Sequence, residues 1–225
     1  MENIIDYNNH TIEIIQDTDP ENPRSWDDQS TMIICHSRYN LGDKQVKDME
    51  QEVIDLFASY ATGEECREVL LESIQKHIPI KHRIYWYRRI VEATTWQDAI
   101  YDIFASSSLT LPFPSDVCPK SLMVLPLYLY DHSGLAISTS PFFCLWDSGY
   151  IGFIYSDKPG IDYKYLRSVV EEYNEYLQGG VWGFVIRDSN GVEIDSCWGL
   201  YGYEYAVSEA KKVIDYMETQ HAKQA

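Results

Sequence analysis

Basic side chains are scarce in this sequence. Only 18 lysines and arginines stand against 35 aspartates and glutamates, so the formal net charge is −17 over 225 residues. Such a surplus of negative charge repels polyphosphates and anionic lipid surfaces over the whole molecule. We therefore expect no direct binding of nucleic acid and no association with a membrane.

Long apolar runs are absent as well. None approaches the roughly 20 residues that a membrane-spanning helix needs, and the opening stretch MENIIDYNNH lacks the positive and apolar regions of a signal peptide. The 5 cysteines are widely spaced and form no C-x-x-C pair, which indicates reduced thiols rather than a disulfide framework. These features predict a soluble protein of the cytoplasm.

Motifs for cofactors are also missing. The sequence has no Walker A run, no G-x-G-x-x-G and no G-x-S-x-G. No group of cysteines and histidines has zinc-finger spacing, and Cys35 and His36, as neighbours on an expected strand, are expected to point to opposite faces. We therefore expect neither a cofactor nor a bound metal ion.

The chain does contain enough apolar material for a core, since 45% of its residues are hydrophobic and 14% are aromatic. In the N-terminal half, 11–16 and 31–36 have the composition of short strands, and we expect these two strands to pair. Asp43 is expected to cap a helix that Gly63 ends. A second amphipathic helix is expected over 66–78.

The middle of the chain carries the only dense basic patch. The pattern in this tract fits either a strand followed by a helix or a helix throughout, and we favour a short strand over 83–87 and a helix over 95–104. A stretch rich in serine and proline follows at 106–121 and has the composition of a connecting loop.

Strands dominate the C-terminal half. Pro126 indicates that the first of these strands lies at an edge or carries a bulge, because proline has no amide hydrogen to donate. Asn190 and Gly191 lie between two alternating runs and predict a β-hairpin. Two further amphipathic helices are expected, over 161–177 and 203–219.

These elements together predict an α+β fold in which a mainly antiparallel sheet packs against amphipathic helices. The connection between the two halves is short, so we expect a single domain over 1–225. A subdivision into a helix-rich part over 1–108 and a β-rich part over 120–225 is the alternative.

Negative charge is concentrated at the beginning of the chain. The first 28 residues contain a single basic side chain, Arg24, among many carboxylates. Such a cluster is suited to a basic protein partner, and Tyr or Trp beside it would supply rigid contacts with a polar tip. The residues expected to contact a partner are Tyr7, Asp17, Asp19, Glu21, Trp26, Asp27 and Asp28.

Catalysis is the first alternative. Cys144 or Cys197, with His132 and either Asp131 or Asp147, would supply the residue types of a cysteine-dependent hydrolase or transferase, in which a base activates the thiol. Each residue also has a structural interpretation, because cysteines on strands are often buried and the sequence DHSG around His132 is typical of a turn. The distances among these side chains decide between the two interpretations.

A calcium-stabilised binding module is the second alternative. Asp17, Asp19, Glu21 and Asn22 would offer oxygen ligands, but their spacing is not that of an EF-hand loop. A solvated loop is the favoured interpretation of this stretch.

Three stretches together resemble a family of small proteins found in bacteriophages and other mobile elements. They are NPRSWDDQSTMIICHSRYNLGD (22–43), LPLYLYDHSGLAISTSPFFCLWDSGYIGFIYSDK (125–158) and YLQGGVWGFVIRDSNGVEIDSCWGLYG (176–202). The family is generally without an assigned activity, so the resemblance brings no catalytic residues with it. The tract 44–121 matches no motif.

The resemblance implies an anti-defence role, because small acidic phage proteins without enzyme motifs often bind and block a host machine. Anti-CRISPR and anti-restriction proteins commonly use clustered carboxylates to occupy a basic nucleic-acid channel, where charge complementarity steers the encounter. We therefore expect an inhibitor in the cytoplasm of the bacterial host, whose partner is a host protein with a basic nucleic-acid-binding surface.

Overall fold

The computed structural model describes residues 3–27, 29–60, 80–95, 122–144 and 146–224, together with the single positions 68, 71 and 75. It confirms the α+β class, with one antiparallel sheet and one mixed sheet. Within the described residues, no helix is both long and apolar enough to cross a bilayer.

The described helices and strands follow one another in this order: β1 (Ile4–Tyr7), β2 (His10–Gln16), a 3₁₀ turn (Pro23–Ser25), β3 (Thr31–Ile34), β4 (Lys44–Gln45), α1 (Met49–Tyr60), α2 (Ile80–Glu92), β5 (Met123–Asp131), β6 (Leu135–Ser138), β7 (Ser148–Ser156), α3 (Tyr163–Leu177), β8 (Val181–Arg187), β9 (Glu193–Tyr201) and α4 (Tyr203–Gln224). The chain divides into two compact units. The first comprises Met1–Trp26, Ser133–Ile137 and Val170–Ala225, and the second comprises Asp27–His132 and Ser138–Val169.

The first unit is built on an antiparallel sheet with the strand order β1-β2-β8-β9. Alternating residues of β2 and β8 point to one face, as the period of two in a strand requires. Helix α4 covers that face with residues spaced one turn apart. The resulting buried cluster contains Ile12, Ile14, Phe184, Ile186, Ala206, Ala210 and Ile214.

The predicted hairpin between β8 and β9 is confirmed, although its turn is longer than a two-residue Asn-Gly turn. Of Asn190 and Gly191, only Gly191 has a positive φ, of 80°. The Asp188 carboxylate accepts hydrogen bonds from the backbone amides of Asn190 and Val192, both at 2.9 Å. These bonds, the Val192 bond first, lower the pKa of Asp188.

The second sheet has the order β4-β3-β7-β5-β6, with β3 and β4 parallel and with β7 antiparallel to both β3 and β5. Its central strands are buried, with Val124, Phe153 and Ile154 fully enclosed. Gly152 on β7 lies so close to β3 that a Cβ atom there would overlap the carbonyl oxygen of Ile33. The close pairing of these strands therefore depends on glycine.

The predicted pairing of strands 11–16 and 31–36 is wrong. Strand β2 lies between β1 and β8, whereas β3 lies between β4 and β7. Asn8 and Asn9 explain the difference, because both adopt positive φ values, of 47° and 59°. A two-residue turn of this kind joins antiparallel strands tightly, so β1 is the immediate partner of β2.

Two local predictions in the N-terminal half are also wrong. Asp43 does not cap a helix; its carboxylate accepts a hydrogen bond from the Met32 amide at 2.6 Å, and the helix begins later, where Asp48 accepts from the Gln51 amide at 3.0 Å. The predicted strand 83–87 lies inside helix α2.

Several predicted features lie outside the described residues. They are the end of the first helix at Gly63, most of the helices expected over 66–78 and 95–104, and the loop expected over 106–121.

The C-terminal predictions agree better with the structure. Helix α3 begins where the Asp162 carboxylate accepts from the Tyr165 amide at 2.8 Å, and α4 covers the predicted 203–219. Pro126 lies on an internal strand rather than at an edge. The pairing of β5 with β7 does shift register just after it, between Leu127 and Tyr128, as the bulge alternative predicts.

Candidate functional site

The acidic N-terminal loop of the first unit has a defined conformation. The Asp17 amide donates to the carbonyl oxygen of Val181 at 2.9 Å, which fixes the loop to the start of β8. The Asp17 carboxylate accepts from the Asp19 amide at 3.1 Å. The Asn22 side chain accepts from the Arg24 amide at 3.0 Å and so caps the 3₁₀ turn.

Tyr201 at the end of β9 holds the middle of this loop. Its hydroxyl group donates to the carbonyl oxygen of Glu21 at 2.7 Å. The ring of Trp26 packs against the Tyr201 ring with 6.4 Å between centroids, yet 52% of Trp26 stays exposed. Arg24, the only base in this part of the chain, is buried at 7% exposure. The loop therefore presents carboxylates and one indole ring to solvent.

Several negative charges of the first unit act on the hydroxyl group of Tyr201. Burial, followed by the charges of Glu172 and Glu21, raises the pKa of Tyr201 to about 12. Tyr176 and Asp17 raise this pKa further in the same direction. We call Asp17, Asp19, Glu21, Trp26 and Tyr201 the Trp26 surface.

The remaining residues predicted to contact a partner lie in other environments. Tyr7 donates to the Asp215 carboxylate at 3.0 Å, and the Lys211 ammonium group lies 5.3 Å from its ring centroid. Asp27 belongs to the second unit, where it accepts hydrogen bonds from the Ser30 and Tyr165 hydroxyl groups at 2.6 and 3.2 Å. Asp28 lies outside the described residues.

Three of the four side chains that would offer oxygen ligands to calcium already form hydrogen bonds within the loop. Asp17 and Asn22 accept backbone amides, and Glu21 accepts from the Ser25 hydroxyl group at 3.4 Å. Throughout the described ranges, no group of three His, Cys, Asp or Glu side chains has the geometry to hold a metal ion.

A separate cleft of about 320 Å³ lies in the second unit, where the ends of β3, β5 and β7 meet. It is open and mostly polar. We call it the Trp146 cleft; its lining residues are Cys35, His36, Arg38, Leu129, Asp131, Trp146, Asp147, Ser148, Gly149, Tyr150 and Ile151.

Asp131, one of the two carboxylates that line the cleft, is already paired with a basic side chain. Its carboxylate forms an ion pair with Arg38 at 2.7 Å and accepts from the Tyr39 hydroxyl group at 3.1 Å. The Arg38 guanidinium group also lies over the Tyr39 ring, 5.6 Å from its centroid. The hydrogen bond to Asp131 is the main cause of the raised pKa of Tyr39.

Asp147 lies beside Asp131, whose backbone amide donates to the Asp147 carbonyl oxygen at 2.8 Å, and it connects two of the residues predicted for catalysis. The same oxygen, Oδ2, accepts from the Cys144 thiol at 3.5 Å and lies 3.3 Å from Nδ1 of His132. The structure thus brings Cys144 and His132 to one carboxylate. Cysteine nucleophiles normally contact their imidazole base directly, with the acid behind the imidazole. Here the acid lies between thiol and imidazole.

Cys197, the other predicted nucleophile, lies in the first unit. It is exposed on β9, and its thiol donates to the carbonyl oxygen of Trp198 at 3.7 Å. Cys197 thus belongs to a different unit from Cys144, His132 and Asp131.

Cys35 and His36 are cleft residues that the sequence reasoning missed. They were expected to point to opposite faces of a strand, but β3 ends at Ile34, and both line the cleft. His36 accepts from the Arg38 and Tyr39 amides, both at 3.3 Å, so it closes a turn. The sequence SRYN after His36, with its serine and asparagine, has a composition typical of such a turn.

Comparison of the chain with models of known protein families, with curated proteins and with solved structures gives no match.

Proposed function

We propose that this protein is a phage-encoded inhibitor that binds a basic, nucleic-acid-binding surface of a host defence complex in the bacterial cytoplasm. The Trp26 surface is the contact. The main support for the proposal is the hydrogen bond from the Tyr201 hydroxyl group to the Glu21 carbonyl oxygen. Because Tyr201 also packs against Trp26, this bond keeps the exposed tryptophan and the carboxylates of the loop in a fixed arrangement.

The charge of the first unit supports a basic partner. Its three segments contain sixteen acidic side chains against five basic ones, so the unit is strongly negative by itself. A surface of this sign accelerates the encounter with a positive surface and disfavours nucleic acid as the ligand. The charge pattern therefore favours a protein that itself binds nucleic acid.

The exposed Trp26 ring supports the same class of partner. Tryptophan is enriched at the energetic centres of protein interfaces, and its face attracts lysine and arginine side chains. Trp26 is held against Tyr201 in the unbound protein, so little side-chain entropy is lost when a partner binds. The family resemblance of the three sequence stretches supports the anti-defence setting.

The test begins with function in cells. Bacteria that carry a restriction or CRISPR system directed at a plasmid are transformed with that plasmid, with and without this protein. We expect the protein to raise plasmid establishment, and we expect affinity purification from the same cells to recover a nucleic-acid-binding defence protein. No protection, with no such protein recovered, would contradict the proposal.

Matched variants then assign the contact to the Trp26 surface. Asp19→Asn/Glu21→Gln removes two charges there, and Asp6→Asn/Glu204→Gln removes two from other exposed positions of the first unit. Exposed charge pairs contribute about 0.5–1 kcal/mol each, so the first variant should bind the recovered partner about tenfold more weakly. The control variant should bind nearly as wild type, and equal losses in both would overturn this assignment.

The aromatic contact is tested in the same way. Trp26→Ala should weaken binding, whereas Tyr216→Ala, which removes an exposed ring from α4, should not. Binding is measured at 50 and 200 mM salt, because a contact between opposite charges weakens as salt rises. Salt-independent binding would count against a basic partner.

A further inference from the structure

The loop between β6 and β7 exposes two large aromatic side chains, of which Trp146 lines the Trp146 cleft. Phe142 packs against Tyr130 with 5.6 Å between ring centroids, and the Ser148 hydroxyl group donates to the carbonyl oxygen of Cys144. These contacts fix the two ends of the loop. Between them, Phe143 is fully exposed and Trp146 is 95% exposed. The bond between Cys144 and Ser148 thus brackets Trp146, whose ring is exposed to solvent.

Asp147 beside this ring retains an unused acceptor. Its Oδ2 atom serves both Cys144 and His132. Its Oδ1 atom has no hydrogen-bond or ion-pair partner among the described residues. Because Asp131 is already paired with Arg38, Asp147 is the carboxylate of the cleft that remains open to a ligand.

An arginine of the chain itself shows how a guanidinium group can be bound in this cleft. Arg38 lies over the Tyr39 ring and pairs with the Asp131 carboxylate, so one guanidinium group of this chain is already held by an aromatic face and an acid. Trp146 and Asp147, the second of which lies beside Asp131 on the neighbouring strand, offer the same two elements, a ring and a carboxylate oxygen. A planar guanidinium group matches both, because it stacks on a ring and forms paired hydrogen bonds to a carboxylate.

We infer that the Trp146 cleft binds the guanidinium group of an arginine side chain supplied by the basic partner. The cleft volume, about 320 Å³, accommodates that group and its alkyl stem. The indole ring of Trp146 covers the guanidinium plane, and Oδ1 of Asp147 accepts its N–H groups. The inference rests on the proposed function for the identity of the partner, whereas the recognition chemistry is local to the second unit.

The test uses the full-length protein and blocked amino acids as probes. N-acetyl-arginine N-methylamide is titrated while the indole N–H signals of the 6 tryptophans are followed by NMR, with Trp146→Ala used to assign the signal of Trp146. Millimolar binding that shifts the Trp146 signal is expected. N-acetyl-citrulline N-methylamide has the same shape without the charge and should bind at least tenfold more weakly.

Variants separate the two contacts of the site. Asp147→Asn should reduce arginine binding about tenfold, and an unchanged spectrum elsewhere shows that the loop has kept its fold. Trp146→Phe keeps a flat ring and should retain more binding than Trp146→Ala. Equal shifts with arginine and citrulline, no effect of Asp147→Asn, or a Trp146 response to inorganic phosphate instead of arginine would each overturn the inference.

The outcome is distinguishable from a failure of the proposed function. Trp26→Ala, which alters the first unit, should bind blocked arginine as wild type does. If blocked arginine does not bind while Trp26→Ala still loses the captured partner, this inference fails and the proposed function stands. Arginine binding at Trp146 without any protection in cells would support the cleft and contradict the inhibitor.

Discussion

The hydroxyl group of Tyr201 lies 2.7 Å from the carbonyl oxygen of Glu21 and donates a hydrogen bond to it. These two residues are separated by most of the chain, yet they join the end of β9 to the acidic loop. The contact gives a segment without regular secondary structure a fixed position beside the sheet, and it is the basis of the first two predictions.

Tyr201→Phe should lower the free energy of unfolding by about 1 kcal/mol, the usual net contribution of one hydrogen bond. The ring that packs against Trp26 is kept, so the loss reports the bond to Glu21. Urea unfolding measures the change. Tyr216→Phe on α4 is the matched control, and an equal loss there would show that the bond to Glu21 is not the cause.

The same hydroxyl group should make stability depend on alkaline pH. The pKa of Tyr201 is raised from 10.0 to about 12, by burial first and then by the charges of Glu172 and Glu21. A raised pKa means that the stabilisation is complete below pH 10 and is lost as the pH rises toward 12. Between these values, the free energy of unfolding should fall more steeply in wild type than in Tyr201→Phe. Parallel curves would contradict the assignment.

Gly152→Ala should destabilise the second unit by about 1–3 kcal/mol, because the new methyl group has no room and the pairing of β7 with β3 must shift. The Cβ atom would overlap the carbonyl oxygen of Ile33. Gly149→Ala is a control on the same strand, since a Cβ atom there meets nothing within 4 Å. Thermal or urea unfolding of the two variants checks the difference, and similar values would be inconsistent with it.

The rate of thiol labelling should depend on the exposure of each cysteine rather than on activation by a neighbouring base. Cys197 is exposed, whereas Cys35 and Cys144 are half-buried, so Cys197 should react faster than these two with a thiol reagent near neutral pH. Peptide mapping by mass spectrometry gives the rate at each position. His132→Ala should change the rate at Cys144 less than threefold. A tenfold loss at Cys144 would instead favour the cysteine-enzyme alternative.

Local patterns in the sequence predicted many of the elements. Alternation along β8 and β9 identified the hairpin, and the spacing of Leu166, Val170 and Tyr173 identified a helix face that is buried in the structure. The run IYWY within α2 was misjudged, because aromatic and β-branched residues favour strands only in a suitable tertiary setting.

The pairing of strands, and the residues that meet in the acidic loop and in the cleft, were harder to predict from the sequence. The acidic loop was visible as a charge cluster, but its dependence on Tyr201 arises from the sheet order that places β9 near residues far away in sequence. The cleft likewise forms because β7 lies between β3 and β5, which brings Cys35, Asp131 and Tyr150 together. No spacing rule along the chain encodes these distances.

The strand order of the first unit also determines when each strand of the newly synthesised chain can pair with its neighbours. Gln16 pairs with Trp182, so β2 waits on the order of ten seconds at bacterial elongation rates before its second neighbour leaves the ribosome. During that interval β1 is the one described neighbour with which β2 can pair. Because Val181 and Tyr201 anchor the acidic loop, this loop cannot take its final position until the chain has been synthesised through Tyr201.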